Sequence, residues 1–186
     1  MIKQFYKIFQ KWSETGTVWI YSDTHFEDAD CAAAVPSRPS SAEQVRMINS
    51  KVGKKDTLIL LGDVGDIEYA KQLKGYKVLI MGNHDSGASN YEGVFDEVYT
   101  GPLFVGEKIL LSHEPLDFPN VLNIHGHQHN KHKSAGKNHI NVCSDVIDYT
   151  PVNMNQLMKS GVLGKVTTTH RATIDTATKR ARKRGK

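Results

Sequence analysis

Short apolar runs that end in polar, glycine-containing turns recur through the first two-thirds of the chain, and helical patterns separate the earliest of them. That alternation predicts α/β layering. Thr17 to Ser22 reads as a buried strand, with Val18, Trp19, Ile20 and Tyr21 in one run ahead of Asp23. A loop with Pro36 and Pro39 follows. Ser40 and Glu43 stand at capping-box spacing, and Val45, Ile48 and Val52 recur at i, i+3 and i+7, so a helix is predicted over 41–52, stopped by Gly53. Thr57 to Leu61 is a second buried strand, Ile67 to Leu73 a short helix closed by Gly75, and Lys77 to Met81 a third strand.

Farther on, strands follow one another without long helices. Leu103 to Val105 and Lys108 to Leu111 pair as a hairpin around Gly106 and Glu107, and Val121 to Ile124 and Ile140 to Val142 are further strands. Asn153 to Lys159 reads as a short helix ending at Gly161. The Gly161, Gly164, Lys165, Thr167 series is a helix end and a turn, because the spacing and order of a P-loop are both absent. At the other end, Ile2, Phe5, Ile8, Phe9 and Trp12 recur at near-helical spacing among Lys and Gln, which predicts a helical extension over 1–16. The main domain is then expected over 17–164, and a basic, flexible tail over 165–186.

Composition narrows the classes. The 186 residues, 39% of them hydrophobic, suit one domain with a sizeable core. The formal charge of +4 suggests a polyanionic partner until it is located. Six of the 24 cations lie in the last eight residues, leaving 18 cations against 20 anions in the body. The basicity is therefore a tail. No apolar run approaches the roughly 18–20 residues of a membrane span, and the N-terminal stretch lacks the pattern of a signal peptide. Cys31 and Cys143 cannot build a disulfide framework and have no Cys partner at metal-ligand spacing. A soluble, cytoplasmic protein without membrane contact is expected, its oligomeric state open.

The chemistry lies where the strands end. The first strand delivers Asp23-Thr24-His25, the second Gly62-Asp63-Val64-Gly65-Asp66 and the third Gly82-Asn83-His84-Asp85. The hairpin strand delivers Ser112-His113-Glu114-Pro115, and the next His125-Gly126-His127-Gln128-His129. Singly, each has an ordinary explanation as a turn, a cap or a surface histidine. Five such endings at the carboxyl edge of a sheet converge on one crevice. Asp23, His25, Asp63, Asn83, His113, His127 and His129 offer carboxylate, carboxamide and imidazole donors without thiolate, a set suited to Mn²⁺, Fe or Zn²⁺. Seven donors exceed one ion's needs and serve two divalent ions if a carboxylate bridges. Phosphate oxygens are the natural guests of such a centre.

In order and spacing these motifs resemble the calcineurin-like metallophosphoesterase superfamily over about residues 17–150, and within it the small bacterial and phage phosphoesterases that share Ser22 to Phe26 and Ser112 to Pro115. The resemblance implies a four-layer α-β-β-α sandwich of two mixed sheets flanked by helices. It implies Asp23, His25, Asp63 and His129 as ligands of one metal, and Asp63, Asn83, His113 and His127 as ligands of the other. Mn²⁺ is the first expectation, with Fe, Zn²⁺ or Ni²⁺ as alternatives. It further implies His84 as the general acid, Asp66 as the carboxylate that orients it, and attack on a phosphate ester by a metal-bridging hydroxide. Glu27-Asp28 stands where such relatives usually carry Gly-His, and no phosphate-gripping Arg follows Asp66, which favours diesters over monoesters. Two other readings stay open: a non-catalytic interaction module on the same fold, and nucleic-acid processing guided by the tail over 179–186. His125, His132, His139 and His170 are left as surface or strand histidines, although His125 lies only two residues from His127.

Overall fold

The computed structural model describes residues 5–130 and 136–166; His132, His170 and the basic tail over 179–186 lie outside the described residues. Strands β1 (Val18–Tyr21), β2 (Thr57–Leu60) and β3 (Tyr76–Ile80) run parallel and form the centre of a five-stranded sheet. Strand β4 (Glu97–Tyr99) joins one edge in parallel, and β9 (Val152–Asn153) joins the other antiparallel. A second sheet holds β5 (Leu103–Gly106), β6 (Ile109–Leu111), β7 (Leu122–His125) and β8 (His139–Asn141) in that order. Only its β5–β6 hairpin is antiparallel, with a bulge between Phe104 and Gly106. Both sheets are therefore mixed and pack as the sandwich the motifs imply.

The unbroken apolar runs of β1 to β3 arise because both faces of that sheet are covered. Alternate residues Val18, Ile20, Ile59, Val78 and Ile80 enter the core between the sheets, where they meet Ile109, Leu111, Leu122 and Ile124. Their neighbours Tyr21, Leu58, Leu60 and Leu79 face outward. There they pack against Val45 and Ile48 of α3 (Ser41–Lys51) and Ala70 of α4 (Ile67–Ala70), the chain having already made α1 (Lys7–Trp12) and α2 (Ala29–Ala34). The capping-box spacing is realised at α3, where the Ser40 hydroxyl accepts from the Glu43 N–H. The fifth α-helix, α5 (Met154–Lys159), is capped by Asn153 and followed by Gly161 in the left-handed region.

Four elements depart from the sequence expectations. Strands β4 and β9 are three and two residues long, too short to carry a readable period. Helix α2 occupies part of the Pro-containing stretch expected as loop, because Asp28 caps it through the Cys31 N–H. The N-terminal helix is short, and its Phe9 and Trp12, with Phe5 before it, belong to the inter-sheet core. It is an integral part of the fold. Among the described residues, no helix is long and apolar enough to cross a membrane.

Glu97 fastens that N-terminal segment. Its carboxylate accepts from Lys11 Nζ at 2.8 Å, Trp12 Nε1 at 3.2 Å and Tyr76 OH at 2.8 Å, and also from Tyr99 OH. Burial raises the Glu97 pKa, but these donors outweigh it and lower it from 4.5 to about 2. The bound carboxylate thus stabilises the fold above pH 4.5, and this contribution disappears as the pH falls toward 2. Glu97→Gln is expected to cost about 1–3 kcal/mol at neutral pH. Urea unfolding of the two proteins checks this, with the difference narrowing from pH 5 to pH 3.

Candidate metal centre

Backbone pairing assembles the site. Beyond β1 and β2 the two loops stay zipped: Asp23 N–H donates to Gly62 O at 3.1 Å, His25 N–H to Asp63 O at 2.9 Å and Phe26 N–H to Val64 O at 3.0 Å. The loops after β6 and β7 are joined by Gly126 N–H to His113 O at 2.9 Å. The His127 N–H then reaches the Asp23 carboxylate at 3.0 Å, linking the loops of the two sheets. Asp23, His25, Asp63 and His127 all have left-handed backbone, with φ of 59°, 41°, 52° and 64°. That conformation costs an L-residue roughly 1–2 kcal/mol and persists where the surroundings impose it, often at functional sites.

The side chains converge as two sets. The donor atoms of Asp23, His25 and His129 lie within 4.8 Å of one another, as do those of Asp63, His113 and His127. Asn83 Oδ1 completes the second set, 2.8 Å from His113 Nε2 and 2.9 Å from His127 Nδ1. Asp63 lies between the sets, with Oδ2 3.5 Å from His25 Nε2 and 3.3 Å from His113 Nε2. All seven expected ligands are brought together, with Asp63 between the two sets.

The imidazoles are held so that Nε2 faces inward. His25 Nδ1 lies 2.8 Å from Asp28 Oδ2, His113 Nδ1 2.7 Å from Leu61 O and His129 Nδ1 2.6 Å from Asp145 Oδ2. Each partner accepts only, so Nδ1 carries the proton and a neutral ring presents unprotonated Nε2 to the crevice. His25 Nε2 is buried and has no hydrogen-bond partner among the described residues. His113 Nε2 faces Asn83 Oδ1, Asp63 Oδ2 and His127 Nδ1, a crowd of electron-rich atoms. An unpartnered buried nitrogen and converging lone pairs are the conditions a cation relieves, and the oxygen and nitrogen donors suit a divalent ion. The residues present fit a metal.

Charge agrees with geometry. Burial raises the pKa of Asp23, but His129, His113 and the Ser22 hydroxyl outweigh it and keep the carboxyl below its ordinary range. Asp63 is likewise lowered against its burial by His113 and the His84 N–H. Burial opposes the charged form of His113, yet Asp63 and Asp23 raise its pKa. Asp145 and then Asp23 push His129 up to about 12. The ionised carboxylates thus hold cationic charge, which protons supply when no metal does.

His84 follows Asn83 at the end of β3, its ring centroid 5.5 Å from that of His25 and its N–H donating to Asp63 Oδ1 at 3.0 Å. Asp66 behaves differently from the expectation. It caps α4, Oδ1 accepting from the Glu68 N–H at 2.8 Å, and among the described residues no hydrogen bond joins it to His84. His125 alternates away from the core-facing Ile124 and rests against His139, with ring centroids 5.4 Å apart, so it does not exchange for His127.

Three carboxylates that support the site escape the sequence motifs' assigned roles. Asp28 orients His25. Asp85 joins the second and third loops, accepting from the N–H groups of Asp63, Val64 and Gly82 and from Tyr91 OH. Asp145, itself held by Arg38 Nη1 at 2.6 Å and by Tyr149 OH, orients His129. Its signal was present, since Asp145 follows β8 as the other clusters follow their strands. Asp145→Asn is expected to weaken metal binding about 10–100-fold, measurable by competition with a chelator. Gly126 is required for a different reason: a Cβ there would lie 2.0 Å from Ser22 Oγ and 2.3 Å from Asp23 Oδ2. Gly126→Ala should displace the Asp23 carboxylate, and metal analysis should find at least one ion fewer per chain than in the wild type.

A family model described as calcineurin-like phosphoesterase matches residues 16–174. An uncharacterized protein of Methanocaldococcus jannaschii is 30% identical over 176 residues, covering 82% of this chain and 95% of the relative. The crystal structure of a protein of unknown function from Aquifex aeolicus superposes with a TM-score of 0.68 at 27% identity, covering 77% of this chain and 98% of that one. Pseudomonas putida nuclease MPE superposes with a TM-score of 0.45 at 22% identity, covering 60% of this chain and 61% of the nuclease.

Proposed function

The chain belongs to the calcineurin-like phosphoesterase family, and on that premise we propose that it is a phosphodiesterase working with two divalent ions, Mn²⁺ first among them. The observation that carries this reading is the inward Nε2 of His25, His113 and His129, each fixed by an acceptor behind Nδ1, with Asp63 between His25 and His113 and Asp23 beside His129.

In this reading Asp23, His25, Asp63 and His129 hold one ion, and Asp63, Asn83, His113 and His127 the other. When bound, the ions lower the pKa of a water nucleophile and balance charge on the phosphoryl oxygens. The protein's own groups do the rest. Asp28, the Leu61 carbonyl and Asp145 keep the imidazoles in one tautomer and one orientation. His84, exposed at the mouth of the crevice, gives a proton to the departing oxygen. Asp66 contributes by anchoring the start of α4 beside this loop cluster.

The test is hydrolysis of bis(4-nitrophenyl) phosphate against 4-nitrophenyl phosphate by chelator-stripped protein reloaded with Mn²⁺. Activity restored by the metal and greater on the diester is expected. No turnover of either ester, with metal-independent capture of a protein partner, would instead favour an interaction module.

A further inference from the structure

Two clefts flank the candidate metal centre, one on each side, and neither has a role in the chemistry above. The first, about 240 Å³, shares Asn83 and His113 with the Asp63–His113–His127 set and is walled by Met81, Pro102 and Leu116, with Glu114 its charged residue. The second, also about 240 Å³, shares His25 with the other set and presents Glu27, Arg38, Ser40, Ser41 and Gln44. Each is smaller than the roughly 300–1,000 Å³ of a site for a whole drug-sized ligand, so each suits one ring-sized group.

From this arrangement we propose that the substrate is a phosphodiester that straddles the centre, with one organic arm in each cleft. The inference rests on the phosphodiesterase reading and adds where the two arms of the ester sit. A monoester would leave one cleft unused. Apolar surface predominates in both clefts, and the second adds more hydrogen-bonding side chains to its wall than the first. Hydrolysis adds water across one P–O bond, giving an alcohol and a phosphomonoester, and the departing oxygen takes its proton from His84. His84 lines neither cleft: its ring lies 5.5 Å from that of His25, which borders the second, and it follows Asn83, which borders the first.

Each cleft can be filled without substituting any of the seven expected ligands. Gly101 lines the first cleft, and a Cβ there would meet nothing within 4 Å. Ala32 lines the second cleft from the exposed face of α2. Gly101→Phe and Ala32→Phe are compared with the wild type, all loaded with Mn²⁺, by calorimetric titration with diphenyl phosphate and, as a probe without arms, inorganic phosphate. Each variant is expected to weaken diphenyl phosphate at least tenfold more than inorganic phosphate. A ratio of the two affinities that stays at the wild-type value in either variant would overturn the two-armed site. Turnover of bis(4-nitrophenyl) phosphate is followed separately. Arm-dependent binding without turnover removes the hydrolytic reading and leaves the two-armed site, whereas turnover with a ratio indifferent to either filling does the reverse.

Discussion

Asp63→Asn is expected to lower phosphodiester hydrolysis by at least about 10³-fold, because one buried carboxylate serves both halves of the centre. Asp63 is 2% exposed, and its Oδ2 lies between His25 and His113 while Oδ1 fixes the loop of His84. Asparagine fills the same volume but removes the negative charge and can offer N–H groups where the imidazole lone pairs point. Metal content should fall together with activity, from two ions per chain to one or none. The two readouts belong together, since a variant that kept both ions and lost activity would assign Asp63 a role other than bridging.

His84→Ala should separate proton transfer from metal binding. A positioned general acid contributes about 10²–10⁴-fold where the leaving oxygen needs a proton. Hydrolysis of an alkyl aryl diester at its alkyl oxygen is expected to fall by that amount, and release of 4-nitrophenolate, a far weaker base, by much less. Metal content should match the wild type, because the His84 ring belongs to neither converging set. Equal losses on both leaving groups would show that the His84 ring does not donate the proton, since the alanine variant keeps the backbone N–H that holds Asp63.

The strand ends were legible because buried parallel strands give unbroken apolar runs, and the polar residues that follow must lie at the carboxyl edge. That logic located Asp23, Asp63, Asn83, His113 and His127 without knowledge of their contacts. It is silent on what stands behind each imidazole. Asp145 meets His129 only because β8 pairs with β7, and Arg38 meets Asp145 across 107 residues of chain. The Asp66 role follows a motif, whereas its observed bond follows helix capping, a local interaction that the same spacing also satisfies. The N-terminal aromatic residues read as an appended helix because periodicity shows that a face is apolar, not what covers it. Their partners, Tyr99 and Glu97, lie on a strand too short to announce itself.

Anomalous diffraction from crystals of the Mn²⁺-loaded protein tests the central claim most directly. Two peaks per chain are expected, one among Asp23, His25, Asp63 and His129 and one among Asp63, Asn83, His113 and His127. A single peak among Cys31, His129 and Asp145, whose donor atoms also lie within 4.8 Å of one another, would contradict it.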